Sequence, residues 1–358
     1  MNSVLYDIAI IGLGPGGATL ARLLDKNFKV FAIDKKSAAS PQGYHKPCGG
    51  LLAMDAQKAL SKFKLPLPKD VLVDPQIFAV KTLDTKQGLL KYYQRFYINL
   101  DRHKFDRWLM SLIPATVERV EHAACTHVKK TASGYDITYC KDGESKTVTS
   151  RFIIGADGSN SIVRNNLYPQ HKIFRYLTVQ QWYKEQNTSP FYSCVFDSDI
   201  TDSYCWSVSK DGFFILGGAF PVKDNKNRFQ LLKTKLKQQG FVFGEPVKTE
   251  ACLISLPRSP RDFCLGGQGA FLVGEAAGLV SPSSLEGISY ALNSAHKLAI
   301  ILNSRRPNPN LAYRIKTLPI RLKLLGKLLK APFMYWPFLR KWVMKSGLKT
   351  IRVVEEQI

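Results

Sequence analysis

The sequence lacks the cysteine and histidine spacing of a disulfide framework or a metal centre. Its seven cysteines are odd in number and widely scattered, and no two of them form a C-x-x-C pair. Reduced thiols in the cytosol are the simplest interpretation of this distribution. The six histidines show no ligand spacing either, and we therefore predict no metal site.

Long apolar runs are also absent. No uninterrupted apolar stretch reaches the length that spans a bilayer. The N-terminal apolar run is short, has no basic residue before it and leads directly into a glycine-rich turn. We therefore expect no signal peptide, and we predict a cytoplasmic protein.

Acidic residues are scarce. The 358 residues include 51 Lys and Arg against 28 Asp and Glu, which gives a net charge of +23. No acid occurs from residue 287 to residue 354, a segment that carries fourteen Lys and Arg. The surplus of positive charge is therefore concentrated in the C-terminal part of the sequence. Separately, a chain of this length can bury a sizeable core and would form two joined domains.

Three glycine motifs occur in a fixed order along the chain. The first occupies residues 12–17, between an apolar run at 8–11 and a helical segment, as a βαβ dinucleotide turn requires. Gly12 makes the tight turn, Gly14 lets the backbone approach a pyrophosphate, and Gly17 lets helix and strand pack closely. The pyrophosphate then meets the free N–H groups at the positive end of the helix.

A second apolar run, residues 30–33, ends in Asp34. The carboxylate of Asp34 is placed to accept both hydroxyls of an adenosine ribose, and an acid at this position disfavours a 2′-phosphate. Lys35 follows it directly.

The first motif does not separate NAD from FAD, but the second motif does. Asp157 and Gly158 follow a predicted strand and precede a helix, where the chain would pass the ribityl chain and pyrophosphate a second time. Gly274 and Glu275 follow a buried strand that delivers Glu275 toward the ribityl or phosphate region. Most FAD proteins of this type carry Asp at that place, one methylene shorter. The three motifs together describe one long bent ligand, FAD.

Beyond these motifs, the chain resembles the geranylgeranyl reductases, a branch of the FAD monooxygenase-like fold whose members reduce prenyl double bonds. The segments KPCGG at 46–50, YCWSVSKDG at 204–212 and SLEGI at 284–288 carry the likeness, which covers about residues 1–300. Val208 and Ser209 replace the Phe-Pro of the family's usual Tyr-x-Trp-x-Phe-Pro-Lys.

The resemblance implies roles for three candidate catalytic residues. It places Cys48 at the reactive face of the flavin as a proton donor; the alternative is a small residue beneath a turn. Tyr204 and Trp206 alternate with Cys205, so they face one side of a strand. They either line a prenyl tunnel or fill the core of the sheet.

Two helix starts are also assigned to the cofactor. Arg102, near the start of a helix, either reaches the FAD phosphates or is a surface charge. A helix predicted at 289–302 directs its positive end at the reduced flavin, unless the preceding residues are only its cap. The residues predicted to bind the cofactor are Gly12, Gly14, Pro15, Gly16, Gly17, Asp34, Lys35, Cys48, Gly49, Gly50, Arg102, Asp157, Gly158, Gly274, Glu275, Gly287 and Ile288.

The predicted fold is α/β. It has a Rossmann-like FAD-binding domain of the p-hydroxybenzoate hydroxylase type, an antiparallel β-sheet substrate domain and a basic helical C-terminal region. The FAD domain is discontinuous, because all three motifs must converge on one ligand: it takes residues 1–75, 100–175 and 265–305. The substrate sheet takes 76–99 and 176–264, and basic amphipathic helices take 306–358.

The predicted activity is reduction of carbon–carbon double bonds in a prenyl or polyprenyl lipid. No second dinucleotide motif follows the first, so the electron donor, NAD(P)H or a ferredoxin or flavodoxin, is undetermined. One alternative is an FAD-dependent monooxygenase of an aromatic or lipid substrate. Another is a flavin-containing membrane-envelope regulatory or binding protein without turnover. The oligomeric state is unknown.

The C-terminal region carries a leucine stripe. Leu318, Leu322, Leu325 and Leu329 recur at helical spacing, with lysines on the opposite side. Either the leucines pack on the FAD domain, or they lie with nearby aromatic and basic residues on an anionic membrane. We expect peripheral attachment to the inner membrane. We expect no nucleic-acid binding, because no recognised nucleic-acid module accompanies the charge.

Overall fold

The computed structural model describes residues 5–39, 46–186 and 191–354. The strands in these ranges are β1 (Leu5–Ile11), β2 (Val30–Ile33), β3 (Leu51–Leu52), β4 (Ile77–Asp84), β5 (Leu89–Asn99), β6 (Glu118–Val120), β7 (Ala123–Lys130), β8 (Tyr135–Lys141), β9 (Glu144–Gly155), β10 (Arg175–Lys184), β11 (Tyr192–Phe196), β12 (Cys205–Lys210), β13 (Phe213–Phe220), β14 (Lys248–Ser255), β15 (Ala270–Leu272) and β16 (Thr350–Ile351). The helices are α1 (Pro15–Leu23), α2 (Met54–Lys62), α3 (Arg102–Ser111), α4 (Ile162–Leu167), α5 (Asn225–Gln238), α6 (Ile288–Asn303), α7 (Pro309–Lys316), α8 (Leu318–Tyr335) and α9 (Pro337–Lys345).

The first sheet has the strand order β6-β2-β1-β9-β8-β7, with β15 also paired to β9. Strands β6, β2, β1, β9 and β15 run parallel, and β7 and β8 continue the sheet as antiparallel strands. All four residues of β2 and all three of β15 are buried. Parallel strands covered on both faces need such continuous apolar runs, and those runs were visible in the sequence.

The second sheet has the order β14-β10-β13-β12-β11-β4-β5-β16, and β3 pairs with β5. One face is covered by α5 through Phe229, Leu232 and Leu236. The other face carries an aromatic cluster that includes Tyr204 and Trp206. The predicted fold class is confirmed, with one local difference: β11 pairs with β4 in parallel, because the chain leaves this sheet for the first one between those strands and no hairpin joins them.

The C-terminal helices pack on both sheets. Tyr313, Ile320 and Leu324 from α7 and α8 join the core of the first sheet, while Met334 and Tyr335, at the end of α8, pack against the aromatic cluster of the second. Within the described ranges, no helix has the length and apolar content needed to cross a membrane. The predicted domain boundaries stay a prediction.

Candidate functional site

The ends of four parallel strands bring the three glycine motifs together. The Gly12 N–H donates to the Ile33 carbonyl of β2 at 2.8 Å, and the Ala156 N–H donates to the Ile11 carbonyl of β1 at 2.8 Å. The Val273 N–H in turn donates to the Gly155 carbonyl of β9 at 3.0 Å. The carboxyl edge of the first sheet is therefore a single site, at the kind of position where open α/β sheets bind ligands.

The glycines of the first motif are required for different reasons. Gly12 has φ of +94°, and a β-carbon there would lie 2.7 Å from the Ala156 carbonyl oxygen. A β-carbon on Gly17 would overlap the Gly12 carbonyl, 2.9 Å from its carbon atom. A β-carbon on Gly14 would meet only the Lys36 ammonium, at 3.8 Å. The backbone of Gly14 thus borders open space, which the close approach of a pyrophosphate requires. Pro15 and Gly16 are buried in the first turn of α1.

Asp34 ends β2 and is buried. Its carboxylate accepts hydrogen bonds from the Leu13 N–H and, at 2.7 Å, from the Lys36 N–H. The Lys36 ammonium lies 3.7 Å from the same carboxylate and is buried as well. Lys35, which the sequence analysis assigned to the cofactor, has an exposed side chain, so its role stays a prediction. The sequence analysis did not assign Lys36 to the cofactor. Its ammonium lies 3.8 Å from a β-carbon built on Gly14.

A buried charge cluster extends from Lys36 to α3. Asp106 lies 3.2 Å from the Lys36 ammonium, and its carboxylate accepts from Arg102 Nε at 2.8 Å. Burial alone would raise the pKa of Asp106, but Arg102 and Lys36 hold it below its usual range. Burial would lower the pKa of Arg102, and the charge of Asp106 and a hydrogen bond to the Cys48 thiol raise it instead. The Arg102 side chain is only 12% exposed and is paired with Asp106, while its contact with the FAD phosphates stays a prediction.

Asp157 has one satisfied and one free oxygen. Its Oδ2 accepts from the Ile162 and Val163 N–H groups at 2.7 and 3.3 Å, at the start of α4. Its Oδ1 is buried and has no hydrogen-bond partner among the described residues. Burial raises the pKa of this carboxyl. Because an unpaired buried acceptor is costly, Oδ1 is the atom that a bound hydroxyl or water would satisfy. Gly158, with φ of +77°, follows it.

Glu275 is paired rather than free. Its Oε1 accepts from the Ser255 N–H at 2.9 Å, and its Oε2 forms an ion pair with Lys46. Burial would lower the pKa of Lys46, and the charge of Glu275 raises it to about 12. The Glu275 Oε2 atom also lies 3.7 Å from a β-carbon built on Gly158. The extra methylene of Glu275 thus lets it reach across to the second motif and to the segment that holds Cys48.

The start of α6 is already partly occupied. Gly274 lies against α6, since its N–H donates to the Ser294 hydroxyl at 3.0 Å. Gly287 precedes Ile288, the first residue of the helix. The Glu286 carboxylate accepts from the Ser289 N–H at 2.8 Å and from its hydroxyl at 2.9 Å. A cap therefore uses part of this helix end, and stabilisation of a reduced flavin there stays a prediction.

The KPCGG segment packs between the two sheets. The Gly50 N–H donates to Cys48 Sγ at 3.4 Å, and Gly50 has φ of +64°. The buried Lys210 ammonium donates to Asn99 Oδ1 at 2.5 Å, to the Leu100 carbonyl at 2.7 Å and to the Gly50 carbonyl at 3.4 Å. Burial lowers the pKa of Lys210 to about 8. Lys210 thus fixes the loop that follows Cys48.

Tyr204 and Trp206 face the same side of the second sheet, and Cys205 faces the other. The ring centroids of Tyr204 and Trp206 are 5.9 Å apart. The Tyr204 hydroxyl donates to the Ser284 carbonyl at 2.9 Å. Trp206 Nε1 lies 3.7 Å from a β-carbon built on Gly49 and has no hydrogen-bond partner among the described residues. The structure thus brings the aromatic pair and the Cys48 segment together.

These residues fit a dinucleotide. The site offers a free space above Gly14, buried cations beside that space and one unsatisfied acceptor at Asp157. Sequence reasoning missed Lys36, Lys46 and Asp106. Asp106 could have been found from its spacing of four residues from Arg102, which is the distance of a helical ion pair.

Known proteins are similar to this chain in sequence and in fold. The FAD binding domain family matches residues 99–253. Protein CbrA of Escherichia coli O6:H1 is 49% identical over 346 residues, which cover 97% of this chain and 94% of that protein. Protein CbrA of Shigella flexneri serotype 5b has the same identity and coverage.

Solved structures confirm the fold at lower sequence identity. A geranylgeranyl bacteriochlorophyll reductase-like protein of Thermoplasma acidophilum has a TM-score of 0.73 and is 19% identical, covering 95% of this chain and 99% of that one. PqsL of Pseudomonas aeruginosa, a probable FAD-dependent monooxygenase, has a TM-score of 0.71 and is 16% identical, covering 96% and 99%. The predicted cofactor, FAD, agrees with these matches.

Proposed function

Because the chain belongs to the CbrA family and is an FAD-dependent oxidoreductase, we propose that it reduces carbon–carbon double bonds of a prenyl or polyprenyl lipid. The observation that carries the proposal is the position of the Cys48 segment. This segment lies between the carboxyl edge of the first sheet, where the three glycine motifs meet, and the aromatic face of the second sheet. FAD, once bound and reduced, supplies the hydride. The protein must then supply a proton and an apolar place for the alkene.

The proton comes from the Cys48 thiol. Arg102 hydrogen-bonds this sulfur, and the Gly50 N–H donates to it at 3.4 Å. Both contacts fix the position of the sulfur at the start of the loop, from which the proton moves to carbon. Asp106 and Lys210 affect Cys48 indirectly. Asp106 holds Arg102 in place, and Lys210 holds the backbone of the loop that follows Cys48.

The aromatic cluster provides the apolar surroundings. Tyr97 and Tyr192 pack beside Tyr204 and Trp206, and Tyr97 and Tyr192 meet edge to face at 6.0 Å. An isoprenoid chain offers only carbon to such a surface and gains from burial alone, at about 25 cal/mol per Å² of apolar area. This supports a lipid over a small polar aromatic substrate.

The test is anaerobic reoxidation of dithionite-reduced protein by prenyl phosphates, prenyl quinones and archaeal-type lipids. We expect reoxidation by at least one prenyl lipid, and we expect Cys48→Ala to slow that step roughly 100-fold or more while FAD is retained. Cys140→Ala, which changes a half-buried cysteine of β8, is the control and should react at the wild-type rate. An unchanged rate in Cys48→Ala would show that its proton-donor role is wrong.

A monooxygenase is the second candidate, favoured by the fold likeness to PqsL and to p-nitrophenol 4-monooxygenase PnpA of Pseudomonas putida. Substrate-dependent oxygen consumption distinguishes the two activities. A reduced flavin that no lipid in the screen reoxidises would instead favour a binding or regulatory protein without turnover.

A further inference from the structure

Apolar side chains line the outer surface of the C-terminal helices. On α7 and α8, a row of apolar residues at helical spacing is exposed, interrupted at the half-buried Leu325. Its members are Leu311, Ile315, Leu318, Leu322, Leu329 and Phe333. Beyond them, Trp336, Phe338 and Trp342 are 63%, 80% and 67% exposed. We call these nine residues the C-terminal face. Scattered single apolar residues need no explanation, but a row of this length is typical of an interaction surface.

The orientation of α8 decides between the two interpretations of its leucine stripe. The side that packs on the protein is made by Ile320 and Leu324, both buried. Lys323 turns toward the protein and pairs with Asp55 at 2.7 Å, and the Lys327 ammonium lies 5.3 Å from the Tyr290 ring. Leu318, Leu322 and Leu329 are exposed and Leu325 is half-buried, so packing on the FAD domain does not account for most of the stripe.

The helices that carry the C-terminal face have charges of one sign only. No Asp or Glu occurs from residue 287 to residue 354. Lys330, Lys341, Lys345 and Lys349 are exposed beside the apolar and aromatic residues of α8 and α9. A surface that alternates exposed tryptophans with lysines matches the interface of an anionic bilayer, where aromatic rings lie at the headgroup level and lysines reach the phosphates.

We infer that the C-terminal face docks on an anionic lipid bilayer and holds the protein there peripherally. Hydrogen bonds at the junction between α8 and α9 fix the orientation of the C-terminal face. Buried Arg340 donates to the Asp84 carboxylate at 2.7 Å and to the Met334 carbonyl at 2.9 Å. Gln87 donates to the Pro337 carbonyl at 2.7 Å.

The same junction reaches the aromatic cluster, and this step rests on the proposed function. Tyr335 packs 6.2 Å from the Phe196 ring, which packs 6.3 Å from Tyr204. The Tyr335 hydroxyl donates to the Ser283 carbonyl at 3.0 Å, next to the Ser284 carbonyl that Tyr204 contacts. The end of α8 therefore lies between the C-terminal face and the aromatic cluster, so a lipid that enters from the bilayer beside Trp336 would pass it on the way to that cluster.

Vesicle co-sedimentation tests the docking without any turnover. The FAD-loaded protein is mixed with vesicles of phosphatidylglycerol and phosphatidylcholine, or of phosphatidylcholine alone. We expect at least tenfold stronger partitioning to the anionic vesicles, about 1.4 kcal/mol, and loss of this preference near 1 M salt. The triple variant Trp336→Ser, Phe338→Ser, Trp342→Ser should lose tenfold or more on anionic vesicles.

The control changes exposed apolar residues elsewhere: Val222→Ser, Leu231→Ser, Val247→Ser. It should bind vesicles as the wild type does. Equal partitioning to both kinds of vesicle, or wild-type binding by the aromatic triple variant, would overturn the proposal. So would a dimer that the triple variant dissociates, if the wild type binds no vesicles.

A comparison of turnover in detergent and in vesicles tests separately whether the lipid enters from the bilayer past the end of α8. Once a lipid substrate is known, the aromatic triple variant should reduce it at the wild-type rate in detergent and at least tenfold more slowly in anionic vesicles. Equal losses in both would overturn the route. A wild type that binds anionic vesicles but is reoxidised by no lipid of the earlier screen would count against the proposed function alone.

Discussion

Substitution of Gly14 and of Gly17 by alanine separates cofactor binding from folding. The β-carbon of Gly17→Ala would overlap the Gly12 carbonyl and lie 3.2 Å from the Ala156 β-carbon. Both obstacles belong to packed backbone and strand ends, which cannot turn aside as a flexible side chain can. We expect a loss of about 3 kcal/mol or more in the free energy of unfolding, the upper end for overpacked sites.

Gly14→Ala should leave the empty protein almost unaffected. Its β-carbon has only the Lys36 ammonium nearby, at 3.8 Å, and Gly14 has an ordinary φ of −66°. With FAD bound, however, the methyl group would occupy the space that the pyrophosphate needs. A cost of about 1–3 kcal/mol corresponds to a roughly 5- to 150-fold higher Kd for FAD.

The measurements are urea unfolding of the FAD-free proteins and FAD titration followed by flavin fluorescence. Gly244→Ala is the control, because nothing lies within 4 Å of its β-carbon position. It should match the wild type in both measurements. Wild-type FAD affinity in Gly14→Ala, or wild-type stability in Gly17→Ala, would refute the geometry assigned to this turn.

Three further predictions concern buried charges. Asp157→Asn should raise the Kd for FAD about tenfold with a smaller change in stability, because the amide oxygen can still cap α4; unchanged affinity in fluorescence titration would remove Asp157 from the site. Arg340→Met should cost about 3–5 kcal/mol in urea unfolding, because it leaves the buried Asp84 carboxylate without its cation and, among the described residues, with only Gln87 as donor, and adding Asp84→Asn should restore part of it; strictly additive losses would contradict a direct pair. Lys210→Met tests a pH effect: the unfolded chain keeps this proton up to about pH 10.5 and the folded chain only up to about 8. Between those values the wild-type free energy of unfolding should therefore rise relative to the variant, by about 1 kcal/mol per pH unit, and a constant difference would contradict the lowered pKa.

The sequence predicted the FAD half of the fold well, because local rules govern it. The turn at residues 12–17 needs glycine for reasons that act within a few residues, and the buried parallel strands show as apolar runs. The convergence of the three motifs was expected because they must bind one ligand. The structure achieves it because parallel strands place their carboxyl ends at one edge of the sheet.

Long-range pairing was not predictable from such rules. Lys46 reaches Glu275 and Lys210 reaches the loop after Cys48 across gaps of 229 and 160 residues, and no periodicity records which charge will meet which. Lys35 and Lys36 are adjacent in sequence, and only the twist of the chain after β2 decides which one is buried. The leucine stripe of α8 was predictable from its spacing. Its outward direction was not, because it depends on the packing of Ile320 and Leu324 into the core of the first sheet.

The most direct test of the central claim is product analysis of the reoxidation reaction. Reduced, FAD-loaded protein is mixed anaerobically with each prenyl lipid, and flavin absorbance and lipid mass are recorded in the same sample. The account predicts one flavin reoxidised for each double bond saturated, with the lipid gaining two hydrogen atoms and no oxygen. A lipid that gains oxygen only when air is admitted, or a flavin that no lipid reoxidises, would contradict it.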